Sequence, residues 1–256
     1  RGLGDVYKRQ MRYNELTFQG RNAVLEAFRS GKTIDKLFIL DGCQDGPIKS
    51  IVREAKKTDA IINYVDKERL DRLAGTGHHQ GVVAIGAAYE YAEVEDILAA
   101  AKEKGEDPFI FILDEIEDPH NLGAIIRTAN LAGAHGVIIP KRRAVGLTAT
   151  VAKTSAGAIN YTPVAKVTNI SQTIEELKKQ GLWFVCADMG GETMYNLNLK
   201  GPIGLVIGNE GNGVSRLVKD KCDFIASIPM KGDIDSLNAS VAAGVLAYEI
   251  VRQRLN

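Results

Sequence analysis

The chain has 256 residues, 45% of them hydrophobic, and balances 32 basic against 32 acidic side chains. This is enough apolar material for two modest packed domains, and it excludes both a chain bound to nucleic acid by bulk charge and one too polar to fold. No apolar run approaches the roughly 18 residues of a membrane span, and no charged-then-apolar segment opens the chain, so a soluble cytoplasmic protein is expected.

Residues 1–10 precede Met11 and fit no helix or strand pattern; they read as an appended or misread segment. From Gly20 helices and strands alternate: helix 21–29, strand 36–40, helix 47–57, strand 61–65, helix 67–74 and strand 82–86. Strands separated by helices of this length make an α/β sandwich, expected over residues 11–88. Segment 89–107 carries 7 acidic against 2 basic side chains, with a helix over Val94–Lys104 closed by Gly105. It reads as an acidic linker, followed by Asp107-Pro108 and a second domain over 108–256.

In that second domain, 109–113 is a continuous apolar run suited to the centre of a parallel sheet. It leads into Asp114–Asn121, a loop with four carboxylates, and then a helix starting near Leu122 whose Leu122, Ile125, Ile126 and Ala129 face the core. Arg127 lies off that face. A strand at 136–139 precedes the cations Lys141, Arg142 and Arg143, which could grip phosphate or be a solvated turn. Helix 148–157, strand 163–167, helix 170–180 and strand 183–187 come next.

The last fifth is the most informative. Strands 203–207 and 224–228 each open into a loop of Gly, Asn, Ser and Pro: Gly208-Asn209-Glu210-Gly211-Asn212-Gly213, then Ile228-Pro229-Met230 running on to Ser236-Leu237-Asn238-Ala239-Ser240-Val241. Glycines let backbone approach a ligand, and loops leaving parallel strand ends are where such folds bind. As separate features these loops could be an ordinary turn and a helix N-cap. The final helix, 238–252, is apolar around much of its circumference and needs cover on more than one side. The three cysteines, Cys43, Cys186 and Cys222, lack metal-ligand spacing, so no metal site is expected.

Together, Asp118-Pro119-His120-Asn121 through Arg127, the Gly208–Gly213 loop, Ile228-Pro229-Met230 and Ser236–Val241 resemble, in order and spacing, motifs 1, 2 and 3 of the SpoU/TrmH family of SPOUT RNA methyltransferases. The resemblance implies a C-terminal parallel sheet tied in a trefoil knot, an exception to the rule that chains avoid knots. Before it would stand a small α/β RNA-binding domain of ribosomal-protein type. Gly20–Val24 and His78–Val82 look like the ends of that domain, and 153–158 like a segment near the substrate. It implies S-adenosylmethionine as cofactor, held by Gly208, Ile228, Met230 and Leu237. The catalytic residues by carry-over are Arg127, Asn121, Glu210, Ser236 and Asn238, with Glu210 pairing with Arg127 or Asn121. A homodimer built on the last helix is implied too. The expected reaction is methylation of a ribose 2′-hydroxyl in structured RNA. The two-domain plan most resembles relatives acting on a guanosine of 23S rRNA; a tRNA enzyme and a non-catalytic ribosome-associated RNA-binding protein are the alternatives. A dehydrogenase is disfavoured because no G-x-G-x-x-G follows the early strands. Arg21, Lys141, Arg142 and Arg143 are the main candidate RNA contacts, with Arg12, Lys32, Lys36 and the His78-His79 pair behind them.

Overall fold

The computed structural model describes residues 16–75 and 77–255; the 1–10 segment and Arg12 fall outside them. The chain divides into two compact units: residues up to Glu90 with the short stretch Gly146–Ala149, and Tyr91–Val145 with Thr150 onward.

In the first unit four strands, β1 (Thr17–Gln19), β2 (Ile34–Leu40), β3 (Ile61–Val65) and β4 (Val82–Gly86), lie in the order β1-β4-β2-β3. β2 and β3 run parallel, while β4 runs antiparallel to both β1 and β2. The short edge strand β1 goes unseen in the sequence because three residues are too few to show a period. Helices α1 (Arg21–Arg29) and α2 (Gly46–Ala55) bury Val24, Phe28, Ile48 and Ile51 against Leu37 and Ile39 on one face of the sheet. Helix α3 (Lys67–Ala74) puts Leu70 against Phe38 and Val83, in a separate cluster. Asp45 and Asp66 cap α2 and α3 by accepting from backbone N–H groups one turn on.

In the second unit six parallel strands, β5 (Phe109–Asp114), β6 (Gly136–Pro140), β7 (Val164–Val167), β8 (Trp183–Thr193), β9 (Ile203–Gly208) and β10 (Phe224–Ser227), take the order β10-β8-β9-β5-β6-β7. Every residue of β5 is buried, as its unbroken apolar run requires in the middle of a sheet. The acidic segment is not a bare tether: α4 (Val94–Lys104) sinks Ile97 and Ala101 fully into this unit. Gly136 makes room for it, since a Cβ there would lie 2.5 Å from Ile97.

Helix α5 (Pro119–Leu131) starts three residues before the expected Leu122. Asp118 accepts from His120 N–H at 2.9 Å and Pro119 takes the first helical position, a cap-plus-proline start that the motif contains in plain letters. Beyond α6 (Ala149–Thr154), the expected 148–157 helix breaks where Ala156 and Gly157 take positive φ, and a 3₁₀ turn follows at Ala158–Asn160. Helix α7 (Ile170–Lys179) and the short α8 (Arg216–Lys219) complete the cover, together with α9 (Ala239–Leu255). α9 packs on α5 and is anchored at its far end: buried Gln253 accepts from Leu199 N–H at 2.7 Å and donates to Leu197 C=O and to Glu249. Among the described residues no helix is long and apolar enough to cross a membrane, and no cluster of His, Cys, Asp and Glu could hold a metal ion.

Candidate active site

Strand order reverses at β5, with β9 on one side and β6 on the other. The crevice beyond the carboxyl ends of the strands at such a switch point is where α/β sheets bind ligands. Asp114 and Gly208 are register partners at those ends, so the first motif and the Gly-rich loop leave the sheet side by side.

The Gly-rich loop is a closed hairpin. Asn209 and Gly213 exchange backbone hydrogen bonds of 3.1 and 2.8 Å, and Asn209 Oδ1 accepts from Gly211 N–H at 2.7 Å. Two links fasten it to the first motif: Asn209 Nδ2 donates to Glu115 C=O at 3.0 Å, and the buried Asp114 carboxylate accepts from Ser215 N–H at 2.7 Å. Gly208 is obligatory, because a Cβ there would sit 2.1 Å from the Gly213 carbonyl carbon.

Asn121 meets the other two motifs through its side chain. Its Nδ2 donates to Glu210 Oε1 at 2.9 Å and its Oδ1 accepts from Asn238 Nδ2 at 3.0 Å, while Asn238 Nδ2 also reaches Glu210. Asn238 Oδ1 in turn accepts from Ser240 and Val241 N–H, so one side chain caps α9 and closes this polar triangle. Asn238 thus serves both as the N-cap of α9 and as a corner of the polar triangle.

Next to the triangle lies a cavity of about 390 Å³ bounded by the ends of β8, β9 and β10, within the range of small-molecule sites. Gly208, Ile228, Met230 and Leu237 all line it, as do Glu210 and Ser236. Asp188, Met189 and Asp235 line it as well, and sequence reasoning missed them. Their signal was positional: Ala187-Asp188-Met189-Gly190-Gly191 ends a strand in the same sheet, but β8 was expected to stop at Ala187. Asp188 is held below the usual carboxylate range by its hydrogen bond to Lys219, whose ammonium is raised in return. The cavity is therefore rimmed at this point by an ionised carboxylate that is paired with an ammonium.

Arg127 does not join the triangle. It lies six residues beyond Asn121, about 9 Å along the helix axis, is exposed, and pairs with no side chain among the described residues. Glu210 takes the Asn121 alternative. Of the RNA candidates, Lys141 is half-buried, Arg142 is exposed, and Arg143 is ion-paired to Glu115 at 3.2 Å. Arg21 has internal partners: its guanidinium donates to Asp45 at 2.5 Å and to Gln80 C=O at 3.2 Å, which ties α1 to neighbouring loops. His79 is buried, with Nδ1 accepting from Gly81 N–H and Nε2 bonded to Asp71. His78 and Lys32 are exposed and Lys36 is half-buried.

Residues 108–248 match the SpoU rRNA Methylase family. The chain belongs to that family. Residues 19–92 match the RNA 2'-O ribose methyltransferase substrate-binding family. Over 236 residues this SpoU chain is 53% identical to YacO of Bacillus subtilis (strain 168), named for the TrmH family of tRNA/rRNA methyltransferases, spanning 92% of this chain and 94% of that one. It is 50% identical to a TrmH-family tRNA/rRNA methyltransferase of Staphylococcus aureus (strain MSSA476), over 92% of this chain and 95% of that one. Its fold is similar to the SpoU methyltransferase AviRb from Streptomyces viridochromogenes, solved in complex with the cofactor AdoMet, with a TM-score of 0.59, 26% identity and coverage of 93% and 90%. The protein is an RNA methyltransferase of SpoU/TrmH type, and its cofactor is S-adenosylmethionine. The residues present fit that group: the cavity has the right size, small residues and backbone at its base suit an adenosyl moiety, and carboxylates on its rim suit a sulfonium and an amino group.

Proposed function

We propose that this SpoU-family enzyme methylates a ribose 2′-hydroxyl of structured RNA, a guanosine of 23S rRNA, acting in the cytoplasm as a homodimer built on α9. The observation that carries this reading is the Asn121–Glu210–Asn238 triangle beside the cavity. A reaction that needs a donor methyl and an acceptor oxygen in line requires rigid loops at that place. Residues 11–88 form the RNA-binding domain, 89–107 connect, and 108–256 carry the transfer; the substrate-binding match over 19–92 supports a ribose acceptor.

When bound, S-adenosylmethionine supplies an electrophilic methyl on a sulfonium sulfur. Gly208, Ile228 and Leu237, which line the cavity, would hold its adenosyl part by backbone contacts, with Met230 beside them. Glu210 and Asn121 keep the Gly-rich loop in one conformation, and Asn238 and Ser236 position polar groups at the mouth. Arg127 meets the acceptor. A charged guanidinium donates hydrogen bonds but has no acceptor, so Arg127 orients the hydroxyl and its phosphate while water takes the proton. Arg127→Lys tests this: orientation predicts a collapse in rate at every pH, whereas activity recovering as pH rises marks Arg127 as the base. Half-exposed Val241 and Tyr248 on α9 support the dimer. Transfer RNA is the alternative substrate, since YacO is named for both RNAs; mapping ribose methylation in RNA from a strain lacking the gene decides between them.

A further inference from the structure

Between α2 and the edge strand β3 the first unit holds an open groove of about 410 Å³, separate from every residue that sequence reasoning assigns to RNA. Three cations line it from α2 and its C-cap: Lys49, Arg53 and Lys56, spaced i, i+4 and i+7 so that they stack in one row. All three are exposed. Among the described residues Lys49 and Lys56 have no ion-pair partner, and Arg53 has only a 4.0 Å approach to Glu54, which bonds more closely to Lys57 at 2.9 Å. Glu54 does not line the groove, and no other described carboxylate does. Across from the row stands Tyr64, 55% exposed on β3. Tyr64 is the register partner of the buried Ile39, so its ring projects on the side of the sheet that carries α2. An edge strand has one free flank, and an exposed aromatic there has nothing in its own unit to cover it.

We propose that this groove binds an unpaired stretch of the RNA substrate, with phosphates along Lys49, Arg53 and Lys56 and a base stacked on Tyr64. The inference deepens the RNA-methyltransferase reading and rests on it for the identity of the polymer. Charge complementarity selects an anionic polymer. The lone exposed ring selects a single strand, because only a splayed base offers a face for stacking; a duplex would use the cations and leave Tyr64 idle. Cys43, also lining the groove, offers a thiol for a reporter dye.

The test compares the full-length protein with Lys49→Ala/Arg53→Ala/Lys56→Ala, Tyr64→Ala and Tyr64→Phe variants, using a mixed-sequence RNA oligonucleotide as single strand and as duplex. Single-stranded affinity is expected to fall at least tenfold in the triple variant, with the salt dependence flattened by about 2 in log–log slope. Tyr64→Ala is expected to lose about tenfold and Tyr64→Phe to match the parent. Stabilisation by S-adenosylhomocysteine stays unchanged in all three, which shows that the second unit is intact, and parent-level hydrogen-exchange protection of the buried strand β2 shows that the first unit still folds. Equal single-strand affinity in parent and triple variant overturns the proposal, as does a parent that binds no RNA or a groove that takes only polyglutamate. A parent that binds RNA through the groove but transfers no methyl group would leave the groove standing and sink the reading of the reaction.

Discussion

Asn121 and Arg127 share one helix, six residues apart, and differ in every physical respect. Asn121 is 6% exposed and gives both its amide nitrogen and its oxygen to other loops; Arg127 is exposed and gives its guanidinium to none of the described side chains. The difference separates what the fold assembles for itself from what it offers outward. A buried amide left unpaired would cost about 1–3 kcal/mol, so its partners must come from the same chain. An arginine at the surface carries no such cost and can wait for a phosphate, a hydroxyl or a second subunit.

The largest expected effect breaks the outward half. Arg127→Ala should lower methyl transfer about 100-fold or more, the range of a lost positioning or proton-managing group. Melting temperature and stabilisation by S-adenosylhomocysteine should stay at the parent level; a loss of cofactor stabilisation would mean that Arg127 belongs to the inner half after all. Gly208→Ala strikes the inner half directly. Its methyl group overlaps the Gly213–Val214 backbone, so the Gly-rich loop must shift, and S-adenosylhomocysteine affinity should drop at least about tenfold by isothermal titration.

Asn121→Ala should be milder on the chemistry and visible in stability. Removing it breaks two of the triangle's three sides and leaves Glu210 and Asn238 bonded to each other, for a loss of about 1–3 kcal/mol, read as a drop in thermal midpoint. If the midpoint does not move, the triangle is decoration and the contrast with Arg127 fails. The smallest effect lies away from the site. His135 is buried at the start of the same sheet, with Nδ1 accepting from Phe109 N–H and Nε2 bonded to Glu106. Burial pushes its imidazolium down, against the Glu106 hydrogen bond that pulls it up. A depressed folded-state pKa means that the unfolded chain binds the proton more readily. His135 therefore contributes stability that is whole above its ordinary value near 6.5 and is lost as pH falls below it. The thermal midpoint should decline between about pH 7 and pH 5, and His135→Asn should flatten that decline.

Much of this was legible in the letters. The elements of the second domain follow from apolar runs of strand length alternating with helical periods, and Ile61–Val65, Lys67–Ala74, Val82–Gly86 and Val94–Lys104 appear with the bounds expected. So do the loops around the cavity, because glycine, asparagine and proline at strand ends leave few alternatives. Arg21 and His79 are RNA candidates by residue type, and only the fold adds that each also has an internal partner. The strand bound that failed did so where a short-range signal was overruled. Strand β8 runs past Ala187 to Thr193 because β10 pairs with it there, a fact that no local pattern contains.

Sequence alone determined that two α/β units stand in succession, that the Gly-, Asn- and Pro-rich loops around the cavity lie in the last fifth, and which residue types they carry; period, length and glycine placement are local properties. Only the tertiary structure decided that Asn121, Glu210 and Asn238 meet, that Asp188 faces the same cavity, and that Lys49, Arg53 and Lys56 share a groove with Tyr64. Those pairings join residues up to 117 positions apart, and their energy depends on burial and mutual orientation, which exist only once the sheet has formed.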